Sequence, residues 1–506
     1  MSVSPPLAPR ILRGIELHLL GQAAVLAATL AWTPVIVGRL GADGYGVYVL
    51  LSLLMSYLML LNAGSSEAVQ RYTAVLSAKG AAGVLSFLLR RVLAFQALMG
   101  LAGVGLLLSS RAWMTRSLLH VGPGAVGEAT SVLAWGAVTV PAFFLLQFAL
   151  SVLYGAQRFA LYQAFSALQV VGVTGCAAAV LWRGAGLRET AIVFFVVHAL
   201  LAAAAAGCVR RELSVPEERP SSEAAREFAG FSAKSWLGQL LWAAMSQGDR
   251  VFVGAMLPVS QLGYYSICTG LSRRFNILCG AVASVVLPIF SELHGRGEEP
   301  RFRRLYLKAT ELSLFFVLPL AVLSFALAPQ FLSLWLGYEF SERGTWPLRF
   351  LILANLFNLT TIIPCYAVYS RGMPQWSGYM QGLRASLVLV LWPLLVPRFG
   401  ILGAAAGALV AEACVAPFFL GWVNHRLGVG WAGFWSEACR RPVLAGSVLL
   451  SGALLVHARA SSWAGLILLG AAGALLFYGI GYRLLDREAR QMLHALLREK
   501  LRYRRA

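Results

Sequence analysis

Apolar runs of 18 or more residues recur along the whole chain, separated by short polar breaks. About 20 apolar residues cross a bilayer as a helix, so the pattern predicts an all-α, polytopic membrane protein. Fourteen transmembrane helices are expected, at residues 15–38, 45–76, 84–109, 128–153, 160–182, 189–209, 228–257, 261–291, 303–336, 345–370, 374–397, 400–424, 441–457 and 463–485. The polar stretch at 210–227 carries two prolines and charges of both signs, which marks a cytoplasmic linker. It separates an N-terminal six-helix lobe, 1–209, from a C-terminal six-helix lobe, 228–425. An additional helix pair at 426–485 follows. In the basic tail at 486–506, Met492, Leu493, Leu496, Leu497 and Leu501 recur at helical spacing, which suits either an interfacial helix or a solvated tail. Six spans is an even number, so both lobes take the same topology, as parallel repeats do. Val35-Ile36-Val37-Gly38 with Gly44-Tyr45 matches Val251-Phe252-Val253-Gly254 with Gly263-Tyr264 at the corresponding place.

Composition narrows the class. The 506 residues are 58% hydrophobic and 13% charged, against about 25% charged in soluble domains. Little chain is left for a soluble domain. The net charge of +20 does not indicate a nucleic-acid partner, because the basic residues lie mainly in short loops. With the amino terminus inside, cytoplasmic loops hold roughly three times as many Lys and Arg as external ones, as the positive-inside rule requires. Both termini are then expected in the cytoplasm, with the first apolar segment retained as a signal anchor. Seven scattered cysteines form no CxxC pair and read as small buried hydrophobes. There is no Walker loop, HExxH or GxSxG. The expectation is a protein that is not an enzyme, with no catalytic residue, no metal and no cofactor. Membrane lipids are its surroundings.

The chemistry must then come from charges inside the spans. A charge at the centre of a membrane helix costs about 2.5–3.5 kcal/mol on insertion scales. The stretch from Phe228 to Leu293 carries Asp249 and Arg250 in one span and Arg273 and Arg274 in the next. Glu67 and Arg71 sit four residues apart on the second span, a spacing that lets them pair. Glu311, Arg384 and Glu412 lie in later spans, and His198 is near mid-depth in the sixth. Two readings stand side by side. In one, the five arginines and four carboxylates neutralise one another as interhelical glue. In the other, Arg250, Arg273, Arg274, Arg384 and Arg71 line a cavity and hold an anionic head group, because the guanidinium fork gives bidentate hydrogen bonds to phosphate oxygens. Asp249, Glu67, Glu311 and Glu412 then serve as ion-pair partners or coupling groups. Pro34, Pro141, Pro288, Pro319, Pro364, Pro393 and Pro417 are expected to bend their helices.

Two stretches carry a family resemblance. Arg39-Leu40-Gly41-Ala42-Asp43-Gly44-Tyr45-Gly46-Val47-Tyr48, continuing through LLNAGSSEAVQRYTA, resembles the first hairpin of bacterial polysaccharide flippases. The stretch FAGFSAKSWLGQLL, then GDRVFVGAMLPVSQLGYYSICTGLSRR, then VLPIFSELHGRGE, resembles their seventh and eighth helices. The family is the oligosaccharide flippase branch of the multidrug/oligosaccharidyl-lipid/polysaccharide exporter superfamily. The resemblance implies two lobes around a central cavity open to the membrane. It implies translocation of an undecaprenyl-diphosphate-linked oligosaccharide across the bacterial inner (plasma) membrane by alternating access, for O-antigen, capsule or exopolysaccharide synthesis. The lipid-linked oligosaccharide is then the partner, with other polysaccharide assembly proteins as further ones. A polyisoprenyl tail can stay in lipid while the head crosses, so such a task needs polar groups in spans and no ATP site. The alternatives are a drug/cation antiporter of the same superfamily, which would favour net carboxylate in the cavity, and a membrane-embedded polymerase or ligase, which would carry a large external loop.

Overall fold

The computed structural model describes residues 7–115, 126–373, 375–457, 460–484 and 490. They are helical throughout, with no strand among them. The tail expected at 486–506 lies outside the described residues, Arg490 apart. Contacts divide the chain into two compact units, Met1–Gly263 and Tyr264–Ala506.

The first unit holds α1 (Leu7–Leu58), α2 (Ser65–Ala78), α3 (Ala82–Trp113), α4 (Val126–Gly155), α5 (Phe159–Trp182), α6 (Leu187–Leu213) and α7 (Ser222–Met256). The next helix, α8 (Val259–Ser272), runs across the division. At 1.5 Å per residue, α1 would be about 78 Å long, more than twice the hydrocarbon core. It is two spans joined at Gly41, where φ is 67° and ψ is −177°. Only glycine takes that conformation freely, so the glycine-rich turn lets the chain reverse in very few residues. The centre of this unit is α4, packed by α1, α2, α3, α5 and α6. Past its first turn it carries no charged residue, and a helix apolar on all faces belongs in a core. Ala137, Val140, Leu146, Ala149, Val152 and Leu153 are fully enclosed. Gly136 lets Leu51 of α1 approach so closely that an added Cβ would sit 2.4 Å from its Cδ1.

The second unit continues with α9 (Asn276–Gly295), α10 (Glu299–Ala326), α11 (Ala328–Leu336), α12 (Tyr338–Thr360), α13 (Ile362–Ser370), α14 (Gln375–Leu427), α15 (Trp431–Phe434), α16 (Arg440–Val456) and α17 (Trp463–Leu484). Its core gathers Phe290, Phe302, Tyr306, Phe315, Phe419 and Phe477 around α10. Like α1, α14 is two spans, joined at Gly400 (φ 59°, ψ −139°). Among the described residues, ten helical segments are long and apolar enough to cross a bilayer, and two of these, Leu20–Asn62 and Gln375–Leu427, are of double length. The protein is therefore a multi-pass, all-α membrane protein.

One break lies beside an expected proline, Pro364, where α12 gives way to α13 at Thr361. Helices run through Pro34, Pro141, Pro319, Pro393 and Pro417. Other interruptions are at Gly41, at Gly400, across Met59–Gly64 inside the second span, at Leu327 inside the ninth, and as a 3-10 turn at Arg273–Phe275 inside the eighth. A proline forfeits one helix hydrogen bond, which neighbouring side chains and local adjustment can replace in a membrane bundle. A left-handed residue reverses the backbone and cannot be absorbed this way.

Candidate functional site: charges and helix breaks within the spans

The second span breaks at mid-length. Met59–Asn62 is a turn of 3-10 helix, Ala63 (φ 50°, ψ 38°) and Gly64 (φ 72°, ψ 9°) are left-handed, and α2 restarts at Ser65. Breaking a helix inside lipid frees backbone groups that must find partners. Here polar side chains supply them. Asn62 Oδ1 accepts from the Gly64 N–H at 2.8 Å, and Asn62 Nδ2 donates to Ser66 Oγ at 3.2 Å. Gln96 of α3 donates to Ser65 Oγ at 2.8 Å, and Trp236 of α7 donates its indole N–H to the Leu60 carbonyl at 2.7 Å. A neutral hydrogen bond of this kind contributes about 0.5–1.5 kcal/mol. Trp236→Phe, which keeps the ring and removes the donor, is expected to lower unfolding stability by about 1 kcal/mol. Thermal unfolding in one detergent, wild type against variant, checks this.

Glu67 and Arg71 follow on α2, yet no ion pair joins them. The Arg71 guanidinium lies 4.5 Å from the centre of the Phe231 ring on α7, and 5.6 Å from that of Tyr72. One oxygen of Glu67, Oε2, is buried without a hydrogen-bond partner. The shared helix face was legible from the spacing. What decides the outcome is an aromatic ring on another helix, which offers the guanidinium a cation–π contact.

Asp249 is buried, and its Oδ1 accepts from the Arg250 backbone N–H at 2.9 Å. The Arg250 guanidinium acts electrostatically on Tyr45 and, together with Asp249, on Tyr57. Tyr57 also lines an apolar cleft of about 340 Å³ between the second half of α1 and the end of α3, with Leu54, Leu61, Leu106 and Trp113. In the second unit, Arg273 and Arg274 occupy the 3-10 turn between α8 and α9. The eighth span is thus interrupted at its two arginines, which an apolar count could not reveal.

The remaining carboxylates are held differently. Glu311 is fully buried on α10, and both its oxygens are engaged: Oε2 by Lys308 Nζ at 3.1 Å and Oε1 by Arg441 Nη1 of α16 at 3.1 Å. Lys308 and Arg441 were not singled out from sequence. Lys308 lies near a predicted cytoplasmic end, where a lysine is ordinary, and its only signal was the three-residue spacing to Glu311. Glu412, in the second half of α14, meets Arg384 of the first half, with Oε1 2.7 Å from Nε. Asn358 Nδ2 of α12 donates to the same oxygen at 3.3 Å. Gln381 accepts from Arg384 Nη1. Glu412 Oε2 and Arg384 Nη2 are buried and have no hydrogen-bond partner.

His198 is buried on α6. Its Nδ1 lies 2.7 Å from the Phe194 carbonyl oxygen and its Nε2 3.2 Å from Gln169 Nε2. A carbonyl can only accept, so Nδ1 carries the proton and Nε2 accepts from the Gln169 amide. Gln169 Oε1 accepts in turn from Gln147 at 3.5 Å. The ring is held by these contacts and packs at a tilt against Phe194 and Phe143.

Long helices in two units, with ionisable groups inside the spans, make up a multi-pass membrane protein. The sequence matches the family described as "Polysaccharide biosynthesis protein" over residues 39–343, and the chain belongs to that family. It is 21% identical over 368 residues to the "Putative O-antigen transporter" of Shigella flexneri, across 72% of this chain and 86% of that protein. Its fold is similar to that of the lipid II flippase MurJ in an inward closed conformation, with a TM-score of 0.69 at 13% identity over 92% of this chain and 99% of that one. An inward-facing multidrug resistance MATE family transporter of the MOP superfamily superimposes with a TM-score of 0.64 at 15% identity, over 81% of this chain and 98% of that one. At these identities the structural likenesses establish the fold.

Proposed function

We propose that this protein is a flippase that moves an undecaprenyl-diphosphate-linked oligosaccharide repeat unit across the bacterial inner membrane by alternating access, with both termini cytoplasmic. The fourteen-span layout, the lobes at 1–209 and 228–425 around a central cavity, the helix pair at 426–485 and the tail at 486–506 belong to this reading. The observation that carries it is the placement of Arg273 and Arg274 together on a 3-10 turn within a span of a polysaccharide biosynthesis family member. Guanidinium groups held at depth match a diphosphate. Arg250, Arg384 and Arg71 are its further contacts, with Asp249, Glu67 and Glu412 as pairing or coupling groups. Glu311, saturated by two cations, ties α16 to α10. The name of the Shigella relative supports a glycan cargo, and the likeness to MurJ supports a fold suited to a lipid-linked one.

The test is leaflet-to-leaflet movement of a fluorescent undecaprenyl-diphosphate oligosaccharide in proteoliposomes. Protein-dependent movement is expected. A hydrogen bond to a charged group is worth about 1.5–3 kcal/mol, so Arg250→Ala and Arg273→Ala should each slow it about 10- to 100-fold with folding intact. Movement that survives both changes would remove these arginines from the site. Export of an organic cation without lipid movement would overturn the flippase reading.

A further inference from the structure

Glu311 and Glu412, the carboxylates held by ion pairs within spans of the second unit, differ in one respect. Glu311 has a cation on each oxygen, Lys308 on one and Arg441 on the other. Glu412 shares a single cation, Arg384, and that pair is incomplete on both sides. Glu412 Oε2 and Arg384 Nη2 are buried and make no hydrogen bond, and the two side chains keep 12% and 11% of their surface exposed. A pair that served only as glue would gain by closing both contacts, because each unsatisfied buried polar atom costs about 1–3 kcal/mol. The free Nη2 marks a guanidinium with hydrogen-bonding capacity left for a second anion.

Resting on the flippase reading above, we infer that diphosphate and Glu412 compete for Arg384, and that binding the diphosphate loads one proton onto Glu412. When the phosphate oxygens take the guanidinium, Glu412 loses its counter-charge within the protein. A buried carboxylate stripped of its partner is neutralised by protonation rather than carried as a bare charge. In the exchange the Arg384–Glu412 ion pair breaks, an Arg384–diphosphate pair forms, and one proton from solvent makes the carboxylate a carboxylic acid. The reverse exchange releases both. The surroundings leave Glu412 no other cation. Arg384 is the one charge that acts on it among the described residues, and the group facing it from α12 is the Asn358 amide. On α13, Cys365 feels the Arg384 charge and lies 3.8 Å from Ser377 Oγ, to which the Tyr369 hydroxyl donates at 3.0 Å. Asn358 and Gln381 act as positioning residues. The first stays with Oε1 and can stabilise the acid, and the second holds the guanidinium from its far side.

The experiment uses the full-length protein in nanodiscs and a farnesyl-diphosphate-linked N-acetylglucosamine, whose phosphates do not titrate near neutrality. Calorimetric titration in buffers of different ionisation enthalpy, from about pH 6 to about pH 9, counts the protons taken up on binding. About one proton per probe is expected in the wild type at the upper end of this range, with affinity falling up to about tenfold per pH unit there. In Glu412→Gln the uptake should vanish and affinity should become independent of pH. Arg384→Gln is a second variant, in which any residual binding takes up no proton. Binding with no net proton uptake at any pH, or equal uptake in Glu412→Gln, would overturn the inference while leaving the diphosphate reading standing. Failure of the probe to bind, with a farnesyl glucoside as neutral control, would overturn that reading and this inference with it.

Discussion

Gly64→Val is expected to abolish accumulation of folded protein, or to destabilise it by about 3–5 kcal/mol where it can be purified. Two independent costs combine. Gly64 sits at φ 72°, where a β-branched residue is strained. A Cβ at this position would also lie 2.1 Å from the Ser232 carbonyl oxygen and 2.7 Å from the Trp236 amide nitrogen, both backbone atoms of α7. Backbone cannot rotate aside as a long side chain can, so α7 would have to move away. That movement would cost the Trp236–Leu60 hydrogen bond and the Arg71–Phe231 stack as well. Yield of monodisperse protein and its thermal midpoint measure the effect. Gly230→Ala on the same helix, where nothing lies within 4 Å, is the control expected to behave as wild type. Unchanged stability in Gly64→Val would show that the second span does not need this break.

Glu311→Gln is expected to cost about 3–5 kcal/mol, the penalty for removing one partner from a buried ion group. The loss leaves Lys308 and Arg441 facing one another around a neutral amide, with Lys308 only 6% exposed. Because Arg441 belongs to α16 and Glu311 to α10, the expected consequence is loosened docking of the last helix pair. Protease access or hydrogen exchange in α16 should therefore rise more than in α4. Replacing Lys308 by Met in the Glu311→Gln background should recover part of the loss, since it removes a buried cation that the carboxylate no longer offsets. A loss below about 1 kcal/mol would mean that water, not the carboxylate, neutralises these cations.

Much of this protein is written in its periodicity. The apolar runs alone specify a helical membrane protein, because a backbone in lipid must satisfy its own hydrogen bonds and a helix does so locally. The turn at Gly41 was legible for a similar reason: glycines between two apolar runs mark a reversal. The carboxylates and arginines inside spans were also legible as positions, since charge at depth stands out against apolar neighbours. Their partners were not. Arg71 was read toward Glu67 and lies on Phe231, and Glu311 takes Lys308 and an arginine 130 residues away. Arg384 takes Glu412 across the fold of α14. Ion pairing depends on through-space distances of a few ångströms, which sequence separation does not encode beyond a helical turn.

The break at Met59–Gly64 and the 3-10 turn at Arg273–Phe275 were likewise invisible in sequence. Asn62, Ser65, Gln96 and Trp236 look unremarked in sequence, and only their assembly makes an interrupted span affordable in lipid. Sequence by itself therefore determined the class and most of the charges at depth, properties local to a helix, though buried Lys308 was missed. Tertiary structure alone decided which charges are saturated, as at Glu311, and which retain an open hydrogen-bonding position, as at Arg384 and Glu412. Saturation is a matter of how many partners reach one atom, and those partners come from helices that only the fold brings together.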